Sequence, residues 1–382
     1  MKNGIIIGAG IGGLTAAIAL AQKGVRVTLY EQAEEIKAVG AGIWIAPNGL
    51  KVYEKLGIER PIINAGKLLN TISVIDTNNK FISIINNSEV EKKHGFKTLA
   101  IHRAKLHDIL ASYIPSENLI LKKSFVSYKQ TDTSVTAFFG DGTAVEADFL
   151  INADGLKSSA REQITSSLKL RYSGQTCWRF TSNFILPKED ENSMYEIWSN
   201  KKGLRAAYSR INEDQIYCYI TDYTQPGGVD NPLTIKEDLL TLCSEFQPII
   251  KDIIKSSNTK SIIRTDLSDF IPLTKWVDGR VALLGDAAHA TTPNLGQGAC
   301  QAIEDAYVLA NEIFVSNDIK SALKSYENKR IKKATYITKT SWQFAQITNT
   351  TGFKKYLSKQ IVRMTPKFVF NKQLDKIYSL DT

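Results

Sequence analysis

Gly8-Ala9-Gly10-Ile11-Gly12-Gly13 limits what this chain can fold into more than any other stretch of its 382 residues. It satisfies GxGxxG through Gly8, Gly10 and Gly13, and its flanks give the motif weight. Gly4 to Ile7 reads as a short buried strand, Leu14 to Lys23 as a helix closed by Gly24, and Val25 to Tyr30 as a second strand. Glu31 ends that strand, 18 residues past Gly13. Strand, glycine turn, helix, strand and acid in this order specify a parallel βαβ unit that binds a dinucleotide. Gly8 permits the tight turn, Gly10 lets backbone approach a pyrophosphate, and Gly13 lets helix and strand pack closely. The helix N-terminus offers free N–H groups and the positive end of its dipole to the phosphates. Glu31 is placed to accept hydrogen bonds from ribose hydroxyls. The motif by itself does not distinguish NAD from FAD.

The apolar stretch after Lys2 imitates a secretion signal, down to Ala19-Leu20-Ala21. The glycines within it and the strand that follows assign it to the βαβ unit instead. No other apolar run is long enough to span a bilayer, so no integral membrane segment is expected. A net charge of +9 favours anionic ligands, but the basic residues are scattered and lack interleaved aromatics, which argues against nucleic acid as a partner. Cys177, Cys218, Cys243 and Cys300 are widely spaced, with no CxxC pair and no zinc spacing. Neither a disulfide framework nor a metal site is expected, and the chain suits a reducing cytoplasm.

Two further strand ends carry aspartate. Phe149 to Gly155 ends in Ala153-Asp154-Gly155 and is followed by Lys157-Ser158-Ser159-Ala160-Arg161. Val281 to Leu284 ends in Gly285-Asp286, ahead of Pro293-Asn294-Leu295-Gly296-Gln297-Gly298 and a helix bearing Glu304-Asp305-Ala306. Three motifs in this order resemble the single-component FAD-dependent aromatic hydroxylases, flavoprotein monooxygenases of the para-hydroxybenzoate, salicylate and urate hydroxylase type. The resemblance runs from residue 1 to about residue 340. It implies an α/β fold: a Rossmann-like FAD-binding domain interleaved with a substrate domain built on an antiparallel sheet, plus C-terminal helices.

The resemblance also implies a set of cofactor contacts. Asp286 would bind the ribityl chain of FAD. Past Pro293, the backbone of Gly296, Gln297, Gly298, Ala299 and Cys300 would lie against the pyrimidine edge of the flavin, where a side chain at Gly296 or Gly298 would block the approach. The helix from Gly298 would point its N-terminal dipole at the ring. Asp154 would sit near the pyrophosphate, serving both FAD and NAD(P)H. Arg103 would contact FAD from a helix start, and Val126 would meet the adenine through its backbone. Gly42, in Gly40-Ala41-Gly42, would lie alongside ribose and flavin, and Gln32 joins Glu31 in the cofactor set. His289, beside two alanines, reads as a packed structural residue.

Between the motifs the pattern changes to alternating strands. Thr71 to Ile75 and Phe81 to Ile85 flank a hairpin turn; Met194 to Trp198, Gly203 to Arg210 and Gln215 to Asp222 follow. Residues 234–257 read as helix and Ile262 to Leu267 as a returning strand. The expected division is 1–70, 101–173 and 274–340 for FAD, 71–100 and 174–273 for substrate, and 341–382 for C-terminal helices broken at Pro366. Arg205 and Tyr217 are the catalytic candidates, because the resemblance places an arginine and a tyrosine here facing substrate. Tyr219 shares Tyr217's strand face, which leaves the choice of tyrosine open. A solvent-facing arginine and a half-buried tyrosine are an equal reading of the same residues. Trp178-Arg179 resembles a segment near the family's pocket, with Phe180 where a glycine is common.

By resemblance the chain is an NADH- or NADPH-dependent flavoprotein monooxygenase. Oxygen would add to the reduced flavin at its 4a carbon, and the hydroperoxide would pass one oxygen atom to an electron-rich aromatic or polycyclic small molecule. A non-oxygenating FAD oxidoreductase of the reductase type and a flavin-binding sensor module are the alternatives. Monomer and homodimer are both open.

Overall fold

The computed structural model describes residues 2–36, 40–165 and 168–380. Asn3–Ile7 lies inside a six-stranded sheet, flanked in parallel by Arg26–Tyr30 on one side and Phe149–Asn152 on the other. Val281–Leu283 adds in parallel beyond Phe149–Asn152. Unbroken apolar runs such as Ile5-Ile6-Ile7 and Phe149-Leu150-Ile151 are buried, as strands covered on both faces must be. The consequence for function is positional. Gly8, Asp154 and Asp286 follow the C-terminal ends of three adjacent parallel strands, the edge where open α/β sheets bind ligands. Helix Ile11–Gln22 springs directly from the first of these ends. A Cβ on Gly13 would stand 2.0 Å from the Gly8 carbonyl oxygen, so helix and strand can meet this closely only at glycine.

The second large sheet has seven strands, in the order Ile263–Asp269, Arg171–Ser182, Ile216–Tyr223, Arg205–Arg210, Ser193–Trp198, Thr71–Asp76, Phe81–Asn86. It is antiparallel except at one seam, where Ser193–Trp198 runs parallel to Thr71–Asp76. The purely antiparallel expectation yields there because the two strands come from separate excursions of the chain, with no short turn between them to reverse direction. The helix expected over 234–257 is two helices, Ile235–Leu242 and Pro248–Lys255. Pro248 has no N–H to continue the first and is well placed in the first turn of the second. Both helices cover one face of the sheet and share its apolar core. A small cluster, including Ala41, Leu69, Ala207 and Tyr217, joins the sheet to the dinucleotide side. Helix Ile319–Thr348 runs unbroken through position 340, and Gly352–Met364 and Lys367–Tyr378 follow it.

Helices Gly298–Val315 and Ile319–Thr348 meet through a buried ionic network. Arg330 is fully buried, with Nη1 donating to Glu304 Oε2 at 2.6 Å and Nε to Asp305 Oδ1 at 2.7 Å. Asp305 also accepts the Gly285 N–H at 3.1 Å and pairs with His289 Nε2. Lys333 Nζ reaches Glu304 at 2.8 Å. Burial pushes the Asp305 carboxyl up, but His289 and Arg330 outweigh it and bring it down to about 2 from 3.8. A depressed folded pKa contributes stability that is present above the unfolded value and is lost as pH falls through the folded one. The contribution of Asp305 is therefore complete above about pH 4 and disappears toward about pH 2. Arg330→Met, which takes one buried cation from two carboxylates at once and leaves Glu304 to Lys333 and Asp305 to His289, should cost about 3–5 kcal/mol in denaturant unfolding at neutral pH. Asp305→Asn should flatten the acid limb of the stability curve below about pH 4. An Asp305→Asn curve parallel to wild type across that window would show that Asp305 is not a source of the acid sensitivity.

Candidate active site

Between the C-terminal edge of the parallel sheet and the face of the seven-stranded sheet lies a cleft of about 540 Å³. It brings together most of the residues singled out in the sequence. Gly10, Gly42, Arg103, Asp286, Pro293, Gly296, Gln297, Gly298 and Ala299 line it from the dinucleotide side, and Arg205, Tyr217 and Tyr219 from the sheet.

The dinucleotide wall is shaped by absences of side chain. A Cβ on Gly10 or Gly296 would meet no protein atom within 4 Å, only the open cleft. Gly296 also holds φ +61°, which favours glycine. Helices Ile11–Gln22 and Gly298–Val315 begin here, and neither has a side-chain cap: Gly10 and Gln297 hold the N-cap positions without a capping bond. Both therefore present first-turn N–H groups and a positive dipole end to a ligand. Gln297 fits this role because its side chain turns inward, where its Oε1 accepts from Asn48 Nδ2 at 3.0 Å. Asp286 is enclosed by protein yet open to the cleft. Burial raises its pKa while His289, Arg103 and Arg161 draw it back, and access to water weakens both influences. Glycine walls, two uncapped helix starts and a carboxylate between them fit a dinucleotide with a polar chain at its centre.

Other expected contacts stand off the cleft wall. Gly8 and Gly13 lie beneath it. Glu31 is engaged with the glycine turn, Oε2 accepting the Ala9 N–H at 2.7 Å and Oε1 the Ala33 N–H at 2.9 Å. Gln32 and Val126 are exposed, Val126 on the strand Phe125–Gln130 of a separate three-stranded sheet. Asp154 accepts the Ser159 N–H at 3.1 Å within its own turn, and burial raises its pKa. Cys300 faces the core, where Sγ accepts the Ala46 N–H at 3.3 Å and burial pushes the thiol up to about 12. Its side chain is therefore no part of the wall. Gly42 lines the cleft for a second reason: a Cβ there would stand 2.3 Å from the Tyr217 ring.

On the sheet side, Arg205 is 2% exposed, which excludes the solvent-facing reading. Nη1 donates to Glu196 Oε1 at 2.9 Å and Nη2 to Asn294 Oδ1 at 2.7 Å. The arginine thus ties the substrate sheet to the glycine-rich loop. Tyr217 and Tyr219 both face the cleft, with rings 4.9 and 5.8 Å from that of Trp44. Burial pushes both phenols far above their ordinary range, and Arg179 offsets this only in part at Tyr217. Both hydroxyls are therefore neutral hydrogen-bond donors. Arg179, expected near the pocket from the Trp178-Arg179 segment, lines the cleft, and so do Asn294 and Trp44; Asn294 belongs to the Pro293–Gly298 motif, whereas Trp44 and Glu196 carry no local signal in the sequence. Arg161, also inside a quoted motif, is buried and donates to Leu156 O at 2.6 Å and Ala287 O at 3.2 Å, joining two of the strand-end turns.

Fold and cleft define a Rossmann-like dinucleotide-binding protein with a sheet-walled ligand site. Residues 2–341 match the FAD binding domain family, and the chain belongs to it. It is 33% identical to the aurachin C monooxygenase/isomerase of Stigmatella aurantiaca over 95% of each chain. It is 31% identical to an FAD-dependent urate hydroxylase of Klebsiella pneumoniae over 85% of each chain. Among solved structures it resembles Klebsiella pneumoniae HpxO complexed with FAD and uric acid, with 28% identity, a TM-score of 0.91, and coverage of 98% of this chain and 96% of that one.

Because a Cβ at Gly10 meets no protein atom, Gly10→Val should fold with an unchanged thermal midpoint when free of cofactor. Its FAD affinity should nonetheless fall at least about tenfold, since the new side chain enters the space required by the pyrophosphate. Asp286→Ala should also lose most bound flavin. Flavin absorbance per chain and calorimetry on cofactor-stripped protein check both, and full FAD occupancy in Gly10→Val would displace the cofactor from this wall.

Proposed function

We propose that the chain is an NADH- or NADPH-dependent FAD monooxygenase. In this reading it hydroxylates an electron-rich aromatic or heterocyclic small molecule held between Arg205, Tyr217 and the Asp286–Cys300 turn. The observation that carries the reading is one continuous cleft with a dinucleotide wall on one side and a buried arginine and two protonated tyrosines on the other, in a member of an FAD-binding family. Gly42, Arg103, Asp286 and the Pro293–Cys300 backbone would hold the flavin side of FAD. Gly10, Glu31, Gln32, Val126 and Asp154 would serve its adenosine and pyrophosphate. When bound and reduced, FAD would supply the two electrons that activate O2, one oxygen atom of which goes to the substrate while the other leaves as water.

The chain's own residues have the remaining tasks. The Arg205 guanidinium, fixed on two sides, offers its outward N–H groups to a carbonyl or anionic oxygen of the substrate. Tyr217 and Tyr219 donate hydrogen bonds and do not act as bases, because burial keeps them protonated. Trp44 and the tyrosine rings exclude water from the substrate face, which limits wasteful release of reduced oxygen.

Oxygen from labelled O2 should appear in the product, and NAD(P)H consumption should depend on an added aromatic or heterocyclic substrate. Turnover without label in the product would sink the monooxygenase reading in favour of a reductase. Arg205→Ala should keep a normal flavin spectrum while turnover efficiency drops by roughly ten- to a hundredfold, the loss of a buried charge-assisted bond. Arg205→Lys should do nearly the same, because an ammonium cannot reproduce the planar geometry. Both should divert a larger share of NAD(P)H into hydrogen peroxide. Unchanged efficiency and coupling in Arg205→Ala would remove this residue from the substrate site.

A further inference from the structure

The helix Gly352–Met364 is amphipathic in the inverted sense. Its buried residues are Lys355 and Lys359. Lys355 Nζ donates to the carbonyl oxygens of Lys201 and Thr348, and Lys359 Nζ to Trp198 O at 3.3 Å and Asn200 Oδ1 at 2.9 Å. The lysines thus fasten the helix to the sheet. The outward face is apolar. Phe353, Leu357, Ile361 and Met364 follow one another at steps of four, four and three residues, a single stripe on a helix turning about 100° per residue. They are 76%, 46%, 60% and 79% exposed. Phe368, at the start of the next helix, is 74% exposed. A contiguous apolar stripe facing water marks a surface that something covers.

Charge identifies the occupant. Residues 349–380 contain one acid, Asp375, against seven lysines and arginines; Lys355 and Lys359 are turned inward, and Lys354, Lys367, Lys372 and Lys376 are exposed. Asp375 is already paired with Lys93 and His94. Lys354 and Arg363 border the stripe, Arg363 held to Asp76 at 2.8 Å, and Lys367 and Lys372 are exposed beyond it. A second copy docking here about a twofold axis would set this basic surface against itself. An anionic bilayer complements both features. Apolar side chains enter the headgroup boundary by about 5–10 Å while the surrounding lysines attract the lipid phosphates. No helix among the described residues is long and apolar enough to cross a membrane, so the contact is one of lying on the surface. We propose that the outward face of Gly352–Met364, continued by Phe368, is a peripheral docking site for anionic phospholipid bilayers.

The test uses the full-length protein and sedimented vesicles of phosphatidylcholine, with and without phosphatidylglycerol, at low salt. Wild type should sediment with the phosphatidylglycerol vesicles, stay largely in solution with phosphatidylcholine alone, and be released as salt rises. The double variant Leu357→Asp, Ile361→Asp changes only exposed positions. It should keep the wild-type circular dichroism and flavin content, and its vesicle partitioning should drop by about tenfold or more. Wild type remaining in solution with phosphatidylglycerol vesicles overturns the proposal, and so does undiminished binding by the variant. Sedimentation in vesicle-free buffer gives the third arm. A wild-type dimer that the variant converts to monomer would assign this face to a second copy and overturn the membrane assignment.

Discussion

Two carboxylates side by side on one helix, Glu304 and Asp305, are fully buried, and much of the molecule depends on Arg330 making that arrangement tolerable. Isolated buried carboxylates would protonate or force the helix outward. Paired with Arg330 they become structural joints. Asp305 holds the Gly285 N–H and His289, and so fixes the turn that presents Asp286. Glu304 accepts from Asn48 Nδ2, whose partner Gln297 stands at the start of the same helix. The glycine-rich loop is thus anchored from behind through Glu304 and Asn48, while Arg205 holds it from the cleft side through Asn294. This network also fastens helix Ile319–Thr348, continuous through residue 340, to the dinucleotide half.

What could be read from the sequence follows from how local each signal is. The βαβ unit was legible because GxGxxG, the helix and the acid all lie within the first 31 residues. The Asp154 and Asp286 turns were legible as strand ends followed by small residues. Their adjacency in space was not, since it depends on Phe149–Asn152 and Val281–Leu283 pairing across more than a hundred residues of intervening chain. The parallel seam between Thr71–Asp76 and Ser193–Trp198 escaped for the same reason. Gly42 shows a third kind of limit. It lines the cleft as expected of a residue beside a cofactor, and its missing side chain also admits Tyr217, a residue 175 positions away that no local pattern brings there. The tail was legible as helix, whereas its inverted polarity emerged only once Lys355 and Lys359 were found turned inward.

Interleaving the two sheets gives the cleft its particular form. Both excursions into the seven-stranded sheet return the chain to the cleft wall, the first through a small three-stranded sheet and the second through the parallel sheet. Thr71–Asp76 leaves after the Gly42 strand, and the strand bearing Leu99–His102 brings the chain back at Arg103. The Arg171–Asp269 excursion returns through Val281–Leu283 to Asp286. The two faces of the cleft are therefore alternating segments of one chain, and the small cluster around Tyr217 holds them in register.

Arg205 shows what this arrangement achieves chemically. Its desolvation is offset before any ligand arrives, because Glu196 neutralises it and Asn294 completes one edge of the guanidinium. A neutralised arginine attracts an anion weakly at long range. Its remaining N–H groups are nevertheless fixed in a plane, so in the proposed function a substrate oxygen would meet them without first ordering the side chain. A second arginine, Arg179, lines the same cleft, and the strands carrying Arg205 and Arg179 lie on either side of Ile216–Tyr223, so two guanidinium groups converge on the cleft from a single sheet face.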